Sequence, residues 1–181
     1  AAVERELSEV KALGFNLLRK HAKIEPQRWY YHCDRLGLIV WQDIVNGGSA
    51  YNLWFVTYLT NALQPLLRRF PDGKACRRLL SRAKPAGREE ALRCHPCIAC
   101  WVPFNEGWGQ FDAGKAVQAL RTLDGTRLVD EASGWFDQGG GDVHSLHNYF
   151  YPLRIRPQKR TVALSEYGGI AWPMPGHEPP R

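Results

Sequence analysis

The chain has 181 residues, 44% of them hydrophobic and 12% aromatic, with a formal net charge of +6. That length can bury one core and sets a single domain as the expectation, and no apolar run approaches the roughly 20 residues of a membrane span. The positive charge invites a nucleic-acid partner, but lysine and arginine are scattered except for one patch from Arg68 to Arg93, and no nucleic-acid motif accompanies them. Neither a membrane nor a nucleic acid is therefore expected as a partner.

Taken in chain order, the start AAVERELSEVKALG reads as an amphipathic helix with charges on one face, not as a secretory signal. Cys94-His95-Pro96-Cys97-Ile98-Ala99-Cys100 follows a short helical stretch at 87 to 93 and packs three thiols and an imidazole into seven residues. Cys-x-x-Cys is a zinc half-site spacing. From Cys97 onward, however, the sequence reads as a strand, in which alternate side chains point to opposite faces, so Cys97 and Cys100 would diverge. Small buried core residues are the preferred reading, and five cysteines without paired spacing argue against a disulfide framework and for a reducing, cytoplasmic setting. Gly139, Gly140 and Gly141 lack the strand, loop, helix and lysine of a phosphate cradle and read as a tight turn or flexible loop.

Two apolar runs stand out, Ile98 to Val102 and Thr161 to Leu164. Neither shows polar alternation, as expected of strands covered on both faces of a parallel α/β sheet. Each ends abruptly, and just beyond each lies a glutamate, Glu106 in WVPFNEGWG and Glu166 in ALSEYGG. Two acids on nearby strand ends can deliver a proton to a leaving oxygen and a carboxylate to an anomeric carbon, the two requirements of glycosidic-bond cleavage. Aromatic residues follow the same strand ends. Trp108, Trp135 and Phe136 read equally as platforms for sugar C–H faces or as loop anchors.

At these residues the chain resembles glycoside hydrolase family 2, which includes β-galactosidases, β-glucuronidases and β-mannosidases, in its catalytic barrel. GFNLLRKHAKIEPQRWYYHCDRLGLIVWQDI (14 to 44) is similar to the family's strand 2, following helix and strand 3. FNEGWGQFD matches the end of strand 4, DEASGWFDQGGGD the region after strand 5, HNYFYP the end of strand 6 and SEYGG the end of strand 7. The resemblance implies an α/β fold, an incomplete (β/α)8 TIM barrel of about strands 2 to 7, with the whole of 1–181 as a partial catalytic domain. A complete barrel usually needs about 250 residues, so the remaining strands and flanking β-sandwich domains are expected in the parent protein. On the helix after strand 2, Trp29, Tyr30 and Tyr31 are expected to be core.

By the same resemblance Glu106 is the general acid/base and Glu166 the nucleophile. Asn105 would bind the sugar 2-hydroxyl, Arg19 would hold the nucleophile ionised, and Tyr149 matches the tyrosine ending strand 6. His21 is a candidate subsite residue in a stretch where the family pattern departs, and His147 is weighed as a sugar contact, whereas His144 reads as structural. Asp43 falls near an acidic metal ligand of some β-galactosidases, but WQDIVNGG lacks the following histidine, so neither a metal nor any other cofactor is expected. The segment from 68 to 93 is short of the helix that the family places there, which reads as a deletion or divergence.

The function implied is retaining hydrolysis of a β-linked, β-galactosidase-like glycoside, with a carbohydrate as the substrate. The double displacement uses both glutamates, at about 5 to 5.5 Å. Two rivals remain from other classes. One is a catalytically inactive carbohydrate-binding fragment or relic of such an enzyme. The other is a zinc- or nucleic-acid-binding domain built on Cys94 to Cys100 and the basic patch.

Overall fold

A computed structural model describes residues 2–45, 89–107, 110, 112–149 and 152–168. Trp108, most of the 68 to 93 segment with its basic patch, and the proline-rich tail lie outside the described residues.

The amphipathic start forms α1 (Ala2–Ala12), which buries Leu7. It packs on α2 (Gln27–Leu36), where Glu4 meets Arg35 at 3.4 Å and Lys11 Nζ donates to the Gly37 carbonyl at 3.0 Å. Between the two helices runs β1 (Leu17–Lys20). After α2 comes β2 (Ile39–Asp43), then the four-residue α3 (Glu89–Leu92) and β3 (Ile98–Val102). α4 (Ala113–Leu123) leads into the two-residue β4 (Leu128–Val129), followed by β5 (Val143–Asn148) and β6 (Thr161–Tyr167).

All strand pairings among the described residues are parallel. β1, β2, β3 and β4 form one sheet in chain order, and β5 and β6 form a second. Backbone bonds link them, because Asp142 N donates to the Val129 carbonyl at 2.7 Å while the Asp142 carboxylate takes the Val129 N–H at 2.9 Å. An isolated parallel bridge joins Asn105 to Ser133. The architecture is thus mixed α/β with parallel sheets, as the apolar runs required.

The core lies between the first sheet and its helices. Tyr30 and Cys33 of α2, Val40, Ile98 and Trp101 of the strands, and Val117 of α4 are almost wholly buried in one cluster, each large apolar side chain contributing roughly 1.5–3 kcal/mol. α4 turns the i, i+4, i+7 stripe Ala113, Val117 and Leu120 inward. Trp101 could not be buried without a partner for its indole N–H, and Asp124 supplies one at 3.1 Å. Asp124 also takes Thr126 and Arg127, and Arg127 caps the strand feet by donating to the carbonyls of Ile98, Arg93 and His95.

Two sequence expectations are corrected. Trp29 and Tyr30 are core, but Tyr31 is 52% exposed and lies beside Arg35, because it falls on the outer side of α2. The Thr161 to Leu164 run is only partly buried, since β6 has β5 as its one described strand neighbour.

Candidate active site

Four strand ends and one loop bring the charged groups together. The parallel registers Arg19↔Trp41 and Lys20↔Gln42 set the end of β1 beside the end of β2. Arg19 there grips Asp43 with two parallel bonds, Nε to Oδ1 at 2.9 Å and Nη2 to Oδ2 at 3.0 Å. The same guanidinium reaches Glu166 Oε1 through Nη1 at 2.6 Å and Asn105 Oδ1 through Nη2 at 2.8 Å. One cation thus ties β1, β2, the loop after β3, and β6. Burial opposes its charge, but the Asp43 bond and the attraction of Asp43 and Glu166 outweigh that, so its pKa is raised. Burial likewise opposes the Asp43 carboxylate, and bonds from His21 and Arg19 reverse the effect and hold its pKa below the usual range. His21, its side chain 53% exposed, places Nδ1 2.8 Å from Asp43 Oδ2, and that bond raises its pKa.

Glu106 sits in a turn, not on the strand. Its φ is +51°, and the following Gly107 has φ +78°. A Cβ on Gly107 would stand 2.7 Å from the Phe136 ring, so only glycine fits there. The turn hangs on the neighbouring strand end, with Glu106 N donating to the Ser133 carbonyl and Ser133 N to the Phe104 carbonyl, both at 2.9 Å. Glu166 lies within β6, one residue before its end.

Between the two acids stand His147 and Tyr149. His147 Nδ1 is 2.8 Å from Glu106 Oε1, and Nε2 is 3.0 Å from Ser133 Oγ and 3.5 Å from Glu166 Oε1. The Tyr149 hydroxyl bonds Glu166 Oε2 and lies 3.1 Å from Glu106 Oε1. Burial and the two carboxylates push its pKa well up, so it remains a donor. Carboxylate oxygens of Glu106 and Glu166 and a His147 nitrogen all lie within 4.8 Å of one another, the one set among the described residues with the donors for a metal ion. Arg19 already occupies Glu166, and His147 is hydrogen-bonded at both nitrogens. Those donors are committed to holding the acids.

The structure therefore gathers Arg19, His21, Asn105, Glu106, His147, Tyr149 and Glu166. Two expected sugar contacts lie behind the acids instead of on an open face. The His147 side chain has no exposed surface, and Trp135, 6% exposed, packs edge-on against it with ring centres 6.1 Å apart. Phe136 anchors its loop through the Gly107 contact and a carbonyl that takes Gln110 Nε2 at 2.9 Å. His144 pairs with Asp137, which also binds Arg160. The Gly139 to Gly141 loop wraps Glu131, whose Oε2 accepts the N–H of Gln138 and of Gly140. Cys97 and Cys100 bond different groups, Tyr30 O and Trp101 O, and neither belongs to a described metal-binding set.

Sequence reasoning did not single out Asp43 as the partner of Arg19, nor Ser133 and Asp130. An aspartate ending an apolar strand three residues after Val40 was the available signal for Asp43. Asp130 is 1% exposed and bonds Ser145, with burial raising its pKa to about 6.

No protein-family model and no curated protein matches the chain. Solved structures do. It superposes on the β-glucuronidase of Parabacteroides merdae with a TM-score of 0.51 at 21% identity, covering 81% of this chain and 17% of that one. For Bacteroides uniformis β-glucuronidase 3 the TM-score is 0.50 at 22% identity, covering 78% and 17%. For the GH2 β-galacturonidase of Eisenbergiella tayi it is 0.50 at 17% identity, covering 83% and 25%. The chain carries a glycoside hydrolase family 2-like fold, and it spans between 17% and 25% of the length of these proteins.

Proposed function

We propose that the chain is part of a (β/α)8 barrel whose parent protein is a retaining glycosidase acting on β-linked sugars. One observation carries the reading. Glu106, in the turn after β3, and Glu166, near the end of β6, each bring a carboxylate oxygen within 4.8 Å of the other and of one His147 nitrogen, and both bond the Tyr149 hydroxyl. That approach favours the 5–5.5 Å of retaining enzymes over the roughly 6.5–9.5 Å that an inverting enzyme needs for its water. The reach of Arg19 from the first described strand to Glu166 on the last supports a closed barrel, in which such strands face each other across the interior.

Glu166 attacks the anomeric carbon while protonated Glu106 donates to the leaving oxygen. Ionised Glu106 then draws a proton from water, which releases the sugar. Arg19 and the Tyr149 hydroxyl both donate to Glu166 and fix the direction of its carboxyl group. Asn105 gives its oxygen to Arg19, which leaves its nitrogen as the donor toward a sugar hydroxyl. The sugar is a β-galactoside or a related uronide, and a panel of aryl β-glycosides separates them.

In the full-length protein, Glu166→Ala should cut turnover of an aryl β-glycoside by at least about 10³-fold, and azide should restore activity by forming the glycoside of opposite anomeric configuration. Glu106→Ala should spare activated phenols far more than poor leaving groups. Equal loss on both, or no azide product, would count against the assignment.

A further inference from the structure

Behind Glu106, a chain of hydroxyls ends on the His147 imidazole that stands between the two acids. Ser133 is wholly buried, and its Oγ lies 3.0 Å from His147 Nε2 and 3.1 Å from Ser165 Oγ. The Ser165 hydroxyl also reaches the Leu146 carbonyl, at 3.5 Å. The imidazole has little freedom, because its side chain has no exposed surface and both Gly134 and Trp135 pack against the ring. The Ser133 backbone is fixed as well, its N–H to the Phe104 carbonyl and its carbonyl to the Glu106 N–H, both at 2.9 Å.

A hydroxyl carries one hydrogen, so the directions along this chain are linked. When Ser133 donates to Nε2, Ser165 donates to Ser133, and both hydrogens use the shorter contacts of 3.0 and 3.1 Å. In the reverse direction Nε2–H donates to Ser133 and Ser133 to Ser165. The Ser165 hydrogen is then left with Leu146 at 3.5 Å, beyond the usual range of a hydroxyl bond. The needs of the other acid agree. Glu166 Oε1 already takes Arg19 Nη1 at 2.6 Å, against 3.5 Å from Nε2, so the nucleophile does not depend on a donor there. With Nε2 as the acceptor, the imidazole proton sits on Nδ1, 2.8 Å from Glu106 Oε1.

We propose that Ser133, backed by Ser165, is a positioning residue of the acid/base: it donates to His147 Nε2 and so fixes the imidazole in the tautomer that presents Nδ1–H to Glu106. The proposal rests on the reading of Glu106 as that acid/base. A donor at Oε1 leaves Oε2 to carry the acid's proton toward the leaving oxygen. As that proton departs, the charge building on the carboxylate meets an N–H already in place. The Tyr149 hydroxyl cannot take over this task, because its one hydrogen goes to Glu166.

The test is neutron diffraction from crystals of the full-length protein exchanged into heavy water at the pH of maximal turnover, together with the kinetics of Ser133→Ala. Deuterium is expected on His147 Nδ1 and absent from Nε2, with the Ser133 deuteron directed at Nε2. Ser133→Ala should lower kcat roughly 10-fold on a β-glycoside with a poor leaving group and less than about 2-fold on an activated phenol, because only the poor leaving group needs the proton. Deuterium on Nε2, alone or beside one on Nδ1, would overturn the proposal, as would equal effects on the two substrates. Should Ser133→Ala fail to fold, the deuterium positions in the unaltered protein decide by themselves. They also separate this proposal from the reading beneath it. The tautomer is seen directly, whereas the acid/base assignment stands or falls on the leaving-group dependence of Glu106→Ala.

Discussion

At the scale of single residues, the site is set as much by what is missing as by what is charged. Gly134 has φ +87°, and a Cβ there would stand 2.5 Å from the His147 ring. Gly134→Ala should cost roughly 3 kcal/mol of stability through strain and the forced displacement of that ring. Denaturant unfolding of the full-length protein checks this, and a cost below about 0.5 kcal/mol, the scale of a neutral surface change, would contradict it. Asp130 makes a second residue-scale case. Its ordinary pKa is 3.8 and its folded value about 6, with burial as the leading cause. A carboxyl whose folded pKa is raised binds its proton more tightly in the folded state. Its contribution is therefore fully present below pH ~4 and is lost as pH rises through about 6, a change of about 3 kcal/mol. Carboxylates held below their usual range, such as Asp43 and Asp34, act with opposite sign. The comparison is thus wild type against Asp130→Asn, and the stability difference between them should shift across pH 4 to 6. A difference independent of pH would refute the raised value.

At the scale of elements, legibility followed how local the cause was. The run Ile98 to Val102 announced β3 because no polar residue interrupts it, and with it came the position of Glu106 just past a strand end. The left-handed turn that presents Glu106 was not readable, because it is held by bonds to Ser133, a residue of the distant segment after β4. Asp43 was noticed for a metal and found holding Arg19, since that pairing depends on the β1 to β2 register and not on either motif. Helical spacing with Leu36 points Trp29, Tyr30 and Tyr31 to the core together, yet Tyr31 falls on the outward side of α2. His147 carried the right residue type for a sugar contact. Its burial beside Glu106 accompanies the irregular parallel register of β5 on β6 between Leu146 and His147, which no spacing reveals.

At the scale of the molecule, the described strands leave edges. β1 and β4 bound one sheet, and β5 and β6 form the other. Unpaired edges are aggregation surfaces unless covered. Purified by itself, this chain should therefore unfold over a broad, weakly cooperative range and show no turnover of aryl β-glycosides, although it carries both glutamates. Circular-dichroism melting and a direct assay test this, and a sharp monomeric transition with turnover would show it wrong. The Arg19 to Glu166 contact spans 147 positions in sequence (166 − 19). Any break in the chain between Asp43 and Asn105 would leave the guanidinium and its aspartate on one piece and both glutamates on the other. Neither half could then assemble the charge pattern unaided, so a gene divided there would act as a two-component sensor whose signal reports reunion of the pieces.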